Sequence, residues 1–348
     1  MPPCPSGTGA WVPPRLTFRT IDHTVDGGPV TAWLERHQAV LYLFTLVIGM
    51  FVGHLLPSAV RLEPAVNPAI ALLLLSTFLS IPLVHLAAAF RDLRFLGVLL
   101  LVNFLVAPVV VWVLSRFVVH DRAVLTGLLL VLLAPCVDWV IVFTGLAGGD
   151  RARMTAASPT LMLAQMLLLP ALLMLIGGPG VGLHLTAGPF LTTLLWVFLL
   201  PLGLAVVVQL RAPRLERIGQ ALMVPAVMAV LFLVTASQSA AVGSQIGQIM
   251  AVVPLFVAFV LIMTTAGLAV GRLFRLPEPS TRAVMFSAVA RNSLVVLPFA
   301  LALPPGTEAA ALVVVTQTMV ELVALVVLVR IAPRLSRVAE GRETGGEL

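Results

Sequence analysis

The chain has 348 residues, 60% of them hydrophobic and only 10% charged, with a mean hydropathy of +1.09 and a formal net charge of +6. Soluble domains carry roughly 25% charged residues, so this composition excludes a soluble globular protein and points to a polytopic membrane protein whose first partner is the lipid bilayer. All 21 basic residues are arginines, and nearly all of them fall at or between the ends of apolar runs, which argues against a continuous basic face for nucleic acid.

Residues 1–38 are rich in proline and glycine, carry scattered charge and lack an apolar core of signal-peptide length. They are predicted to form a flexible cytoplasmic tail. Of the two cysteines, Cys4 belongs to this tail and Cys136 to an apolar run, settings too different for a disulfide. From residue 39 the chain resolves into apolar runs of roughly 19–25 residues, the length needed to cross ~30 Å of hydrocarbon. They cover 39–57, 69–90, 95–115, 123–146, 154–177, 187–209, 219–241, 247–271, 281–303 and 308–332. The predicted fold is an all-α membrane protein of ten transmembrane helices spanning 39–332, followed by a cytoplasmic tail over 333–348.

The arginines orient this arrangement. Seventeen flank the runs on one side and three on the other, while Arg291 lies inside a run. By the positive-inside rule both termini are cytoplasmic, as in a multi-pass protein of the plasma membrane. Two groups of five helices, 39–177 and 187–332, then have opposite orientation, the inverted-repeat logic of secondary transporters. The shared triplet in VRLEPA (60–65) and PRLERI (213–218) is a faint trace of such a repeat.

The fourth run of each half holds the informative residues: Pro135, Cys136 and Asp138 in one, Arg291, Asn292, Ser293 and Pro298 in the other. Proline lacks the N–H that would bond the carbonyl four residues back, so Pro135 and Pro298 are predicted to break their helices. Paired breaks in corresponding helices point to a transporter's binding site. Asp138, Arg291 and, in the last run, Glu321 fall within roughly 6 Å of the bilayer centre at ~1.5 Å per residue. Each such charge costs ~2.5–3.5 kcal/mol unless paired or wetted. Asp138 and Arg291 either neutralise one another as a structural ion pair or act on substrate. Glu321 is a candidate for proton coupling or substrate contact, with a hydrogen bond to a neighbouring helix as the alternative. On chemistry alone Cys136 is more readily a packed thiol than a ligand. Asn103, Gln165, Ser237, Gln238 and Gln317 are mid-run polar groups that suit a cavity wall or interhelical hydrogen bonds equally. No metal-ligand spacing, nucleotide-binding loop or hydrolase motif is present in the sequence, so no metal, cofactor or enzymatic activity is expected.

LLAPCVDWVIVFTGLAGGD (132–150) together with TQTMVELVALVVL (316–328) resembles the arsenical-resistance permeases that export arsenite, a branch of the bile acid/sodium symporter superfamily. The resemblance implies ten helices in two inverted five-helix repeats, with broken fourth and ninth helices crossing near the substrate. It assigns metalloid transport to Cys136 and coupling to Glu321; from their own positions at the predicted crossing, Asp138 is a second coupling candidate and Arg291, Asn292 and Ser293 are candidates for substrate contact. The implied activity is arsenite or antimonite efflux by proton antiport, and thiophilic arsenic suits a soft sulfur ligand. Two departures stand out: ARNS in the ninth helix carries a cation, and Asp138 follows the cysteine. They leave a second reading open, a sodium-coupled organic anion symporter in which Arg291 binds the anion.

Overall fold

The structure is a computed structural model that describes residues 29–80, 92–137, 139–184, 196, 199–211, 214–244, 246–301, 303, 307 and 309–337. Every regular element among these residues is helical. In chain order, α1 (Pro29–Leu55) leads through a 3₁₀ segment (Pro57–Leu62) into α2 (Glu63–Ser80), and α3 (Leu93–Leu101) continues through a π segment (Val102–Val106) into α4 (Ala107–Ser115). Then come α5 (Arg122–Leu132), α6 (Trp139–Leu146), α7 (Arg151–His184), α8 (Leu200–Arg211), α9 (Arg214–Ser244) and α10 (Ile246–Leu273). The chain closes with α11 (Glu278–Val289), α12 (Ser293–Leu301) and α13 (Ala309–Arg337).

Among the described residues, five stretches are long and apolar enough to cross a membrane: Ser58–Leu79, Leu93–Ser115, Arg151–Gly178, Met250–Leu273 and Ala309–Leu335. Large apolar side chains such as Phe44, Val47, Phe51, Val109, Leu167 and Leu175 face outward. A water-soluble protein does not expose so much apolar surface, whereas a lipid-facing one does. The protein is a multi-pass membrane protein.

Three predicted boundaries are corrected. α1 begins at Pro29, inside the stretch read as a tail, because proline is well placed at a helix start and the Ala-Trp-Leu-Glu-Arg that follows favours helix. α13 continues to Arg337 with Pro333 inside it. Pro298 is likewise not a break: it lies within α12, and the interruption comes earlier, at residues 290–292. Residues 1–28, Cys4 among them, Asp138 and residues 338–348 lie outside the described residues.

The helices pack in two groups. α1, α2, α8 and α9 pack on one another, and α3–α7 with α10–α13 form the other group. Close approaches mark both. A Cβ on Gly127 of α5 would fall 2.5 Å from the carbonyl oxygen of Ala310 on α13, and one on Gly49 of α1 would fall 2.0 Å from Thr235 Oγ1 on α9. Along the seam between the groups, Tyr42 of α1 meets Trp139 of α6 edge-on at 5.7 Å. A narrow crevice, with room for little more than a single water, opens at the seam, walled by Leu46, Val230, Thr235, Ser293, Leu297 and Thr318 among others.

Candidate functional site

The site forms where two interrupted helices cross. α5 stops at Leu132 because Pro135 has no N–H to extend it and disfavours helical backbone at Ala134. α11 stops at Val289, and Ala290 turns extended at φ −69°, ψ 130°. The two unwound segments then pair like strands, with an antiparallel bridge between Pro135 and Arg291. Cys136 N donates to Ala290 O at 3.1 Å, and Asn292 N donates to Ala134 O at 2.8 Å. Broken backbone survives in an apolar interior only where protein supplies such partners. Beyond the crossing the chain resumes helix as α6 and α12.

No proline lies at the second break. It forms because three groups there have better partners elsewhere: Ala290 O accepts from Cys136, Asn292 N donates to Ala134, and Arg291 N donates to Glu321 Oε1 at 3.1 Å. Glu321, on α13 and 1% exposed, also accepts from Gln317 Nε2 at 2.5 Å through its other oxygen. The carboxylate thus bonds the backbone of Arg291, not its guanidinium.

The Arg291 side chain is wholly buried, the largest such side chain in the described structure. Its guanidinium donates to Leu132 O at 3.3 Å, Ser287 O at 3.3 Å, Ala288 O, and Asn103 Oδ1 at 3.1 Å. Phe259 of α10 covers it, 5.1 Å from ring centroid to guanidinium carbon. Asn103 belongs to the π segment and donates to Leu99 O at 3.0 Å and Ser287 Oγ at 2.9 Å. A π segment widens a helix by one residue per turn and recurs at functional sites; here it carries the amide that ties α3 to α11. Among the described residues no carboxylate lies within ion-pair distance of the guanidinium.

Around this cluster several buried polar atoms have no hydrogen-bond partner among the described residues: both amide atoms of Asn292, Ser293 Oγ, Gln317 Oε1 and Arg291 Nε. Buried polar groups are rarely left so, and an ordered water or an ion is their usual partner. Ser293 also lines the seam crevice. Cys136 is fully buried within the crossing. No group of three or more His, Cys, Asp or Glu among the described residues is arranged to hold a metal ion.

Residues 67–250, just over half of the chain, match the Sodium Bile acid symporter family. The chain belongs to the sodium/bile acid symporter family. It is therefore a membrane transporter. No curated protein matches the chain.

Of the residues singled out in sequence, the symporter fold brings Pro135, Cys136, Arg291, Asn292, Ser293 and Glu321 together at the crossing, and it leaves Pro298 inside α12. Ser287, Phe259 and the carbonyl of Leu132 had no signal in sequence, because an apolar helix gives no mark of which backbone oxygen will be orphaned. Asn103 and Gln317 were visible as mid-run polar groups, though not as parts of one network.

Proposed function

We propose that this protein is a secondary active transporter of ten transmembrane helices in two inverted five-helix repeats, with both termini cytoplasmic, and that it exports arsenite or antimonite in exchange for protons. The observation that carries the reading is the thiol of Cys136 held in the unwound crossing, one backbone pair away from the Arg291–Glu321 contact. In the proposed step the thiol proton passes to Glu321, the thiolate attacks arsenic as one As–O bond breaks, and the leaving hydroxide takes that proton from Glu321 to depart as water. A single thiolate, unlike a three-thiol chelate, holds the metalloid weakly enough to release it on the other side. Asn292 and Ser293 supply hydrogen bonds to the remaining hydroxyls.

A second reading, a sodium-coupled organic anion symporter, is favoured by the partnerless oxygens of Asn292, Ser293 and Gln317, hard donors suited to a hard cation. Under this reading the apolar walls of the seam crevice would have to part to admit the substrate's apolar body. Accumulation of labelled arsenite in everted vesicles under an imposed pH gradient separates the two. The metalloid reading expects accumulation that Cys136→Ser abolishes and Glu321→Gln uncouples from the gradient. No accumulation by folded wild-type protein sinks it, and sodium-driven uptake of an organic anion that survives Cys136→Ser replaces it.

A further inference from the structure

Three carbonyls at the crossing have lost the amide that a continuous helix would give them. The N–H of Cys136, due at Leu132 O, goes to Ala290; that of Arg291, due at Ser287 O, goes to Glu321; that of Asn292, due at Ala288 O, goes to Ala134. Each vacated carbonyl is taken by one side chain. Arg291 donates from one terminal nitrogen to Leu132 O and from the other to Ser287 O and Ala288 O.

These carbonyls end two half-helices, α5 and α11. Each helix C-terminus carries about half a negative charge, so the two together match about one cation. Converging half-helix C-termini and unwound carbonyls are where transporters with discontinuous helices hold a coupling cation. Here the place is closed: Asn103 Oδ1 adds a further oxygen at 3.1 Å, Phe259 presents its π face, and the guanidinium is 0% exposed. No carboxylate lies in ion-pair range among the described residues, so the direct contacts are carbonyls and an amide, while Glu321 acts on the charge from further away.

We propose that Arg291 is a tethered cation: its guanidinium permanently fills the position between the C-termini of α5 and α11 that a dissociable monovalent cation such as sodium would need, so the transport cycle does not draw on an ion bound there. The consequence for coupling rests on the transporter reading; the occupancy itself does not.

The test uses purified full-length protein in detergent, with Tm measured in choline, sodium and guanidinium chloride. Arg291→Ala vacates the position and lowers Tm by roughly 5 °C or more. Millimolar guanidinium, far below denaturing concentrations, restores most of the loss, sodium restores part of it, and choline none; wild-type protein gains nothing from guanidinium. An alanine variant that neither cation rescues, or a wild type that guanidinium stabilises equally, overturns the proposal. Should the alanine variant not fold, Arg291→Gln and Arg291→Lys replace it. A sodium-over-choline gain in Tm for Gln that Lys lacks supports the proposal, and equal sodium responses in the two overturn it. Because no step involves transport, failure here leaves the vesicle assay standing, and failure of the vesicle assay leaves these shifts unexplained by anything but occupancy.

Discussion

The two helix groups spend their polar side chains differently. In the group of α1, α2, α8 and α9, hydroxyls bond carbonyls of their own helix: Thr45 to Leu41, Ser76 to Leu72, Thr235 to Leu231. Gln209, which reaches from α8 to Phe78 O at the end of α2, is the described exception. In the other group, the decisive bonds run between helices: Asn103 to Ser287, Arg291 to Leu132 and Asn103, and Arg291 N to Glu321. A hydroxyl bonded within its own helix specifies nothing about its neighbours, while an interhelical network fixes which helices meet and at what register. The first group is held mainly by packing, with Gln209 as a described interhelical bond, and the second by packing plus a polar lock.

That contrast is open to test, beginning with the largest effect. Gly127→Val should cost about 3 kcal/mol, because the new Cβ would meet the backbone of Ala310 at 2.5–3.0 Å; the check is loss of monodisperse protein on size exclusion. Asn103→Leu should cost about 2–3 kcal/mol, since it strips partners from Arg291 and Ser287 in a dry interior. The matching change in the first group, Thr235→Val, should cost under about 1 kcal/mol, and equal Tm losses for the two would erase the distinction drawn here. Gly49→Ala should cost about 1–2 kcal/mol, and adding Thr235→Ala should recover part of it, because the tightest obstruction is the Thr235 hydroxyl while Phe232 O at 3.0 Å stays; Gly127→Val meets only backbone of Ala310 and has no such rescue. The smallest effect belongs to Arg153→Ala. Arg153 pairs with Asp92 at 3.2 Å and Asp150 at 3.3 Å and bonds Ser280 at 2.8 Å, but it is 38% exposed, so about 0.5–1 kcal/mol is expected, shrinking as salt is raised.

How far the sequence foretold this structure depends on the kind of signal. Apolar run length located four of the five long stretches among the described residues to within about three residues, because crossing hydrocarbon imposes a length that composition must meet, while the run read as 69–90 lies earlier, over Ser58–Leu79. The break at Pro135 was legible because proline removes a specific hydrogen bond. The break at 290–292 was not, and Pro298 misdirected the reading: at the sixth position of α12 it forfeits one amide bond yet still fits the helix. What interrupts the chain there is competition by Ala134, Cys136 and Glu321 for groups that would otherwise bond locally, and no local pattern encodes a competitor that far away. Arg291 was conspicuous as a buried charge, and a charge-balance argument sought an acid for it. Its described partners are mostly carbonyls, which every residue has and no sequence highlights.

The bridge between Pro135 and Arg291 has a further consequence, for biogenesis. When α5 and α6 first enter the membrane, the chain that will pair with Ala134 and Cys136 has not been synthesised. Until α11 and α12 arrive, the first crossing segment holds bare peptide groups in an apolar medium, where each costs several kcal/mol. The amino-terminal half is thus poorly suited to mature alone and favours waiting partly wetted or in the care of the insertion machinery. Truncated chains ending before α11 should be degraded, while the two halves supplied together as separate polypeptides should accumulate, since what completes the first half is a short piece of backbone from the second.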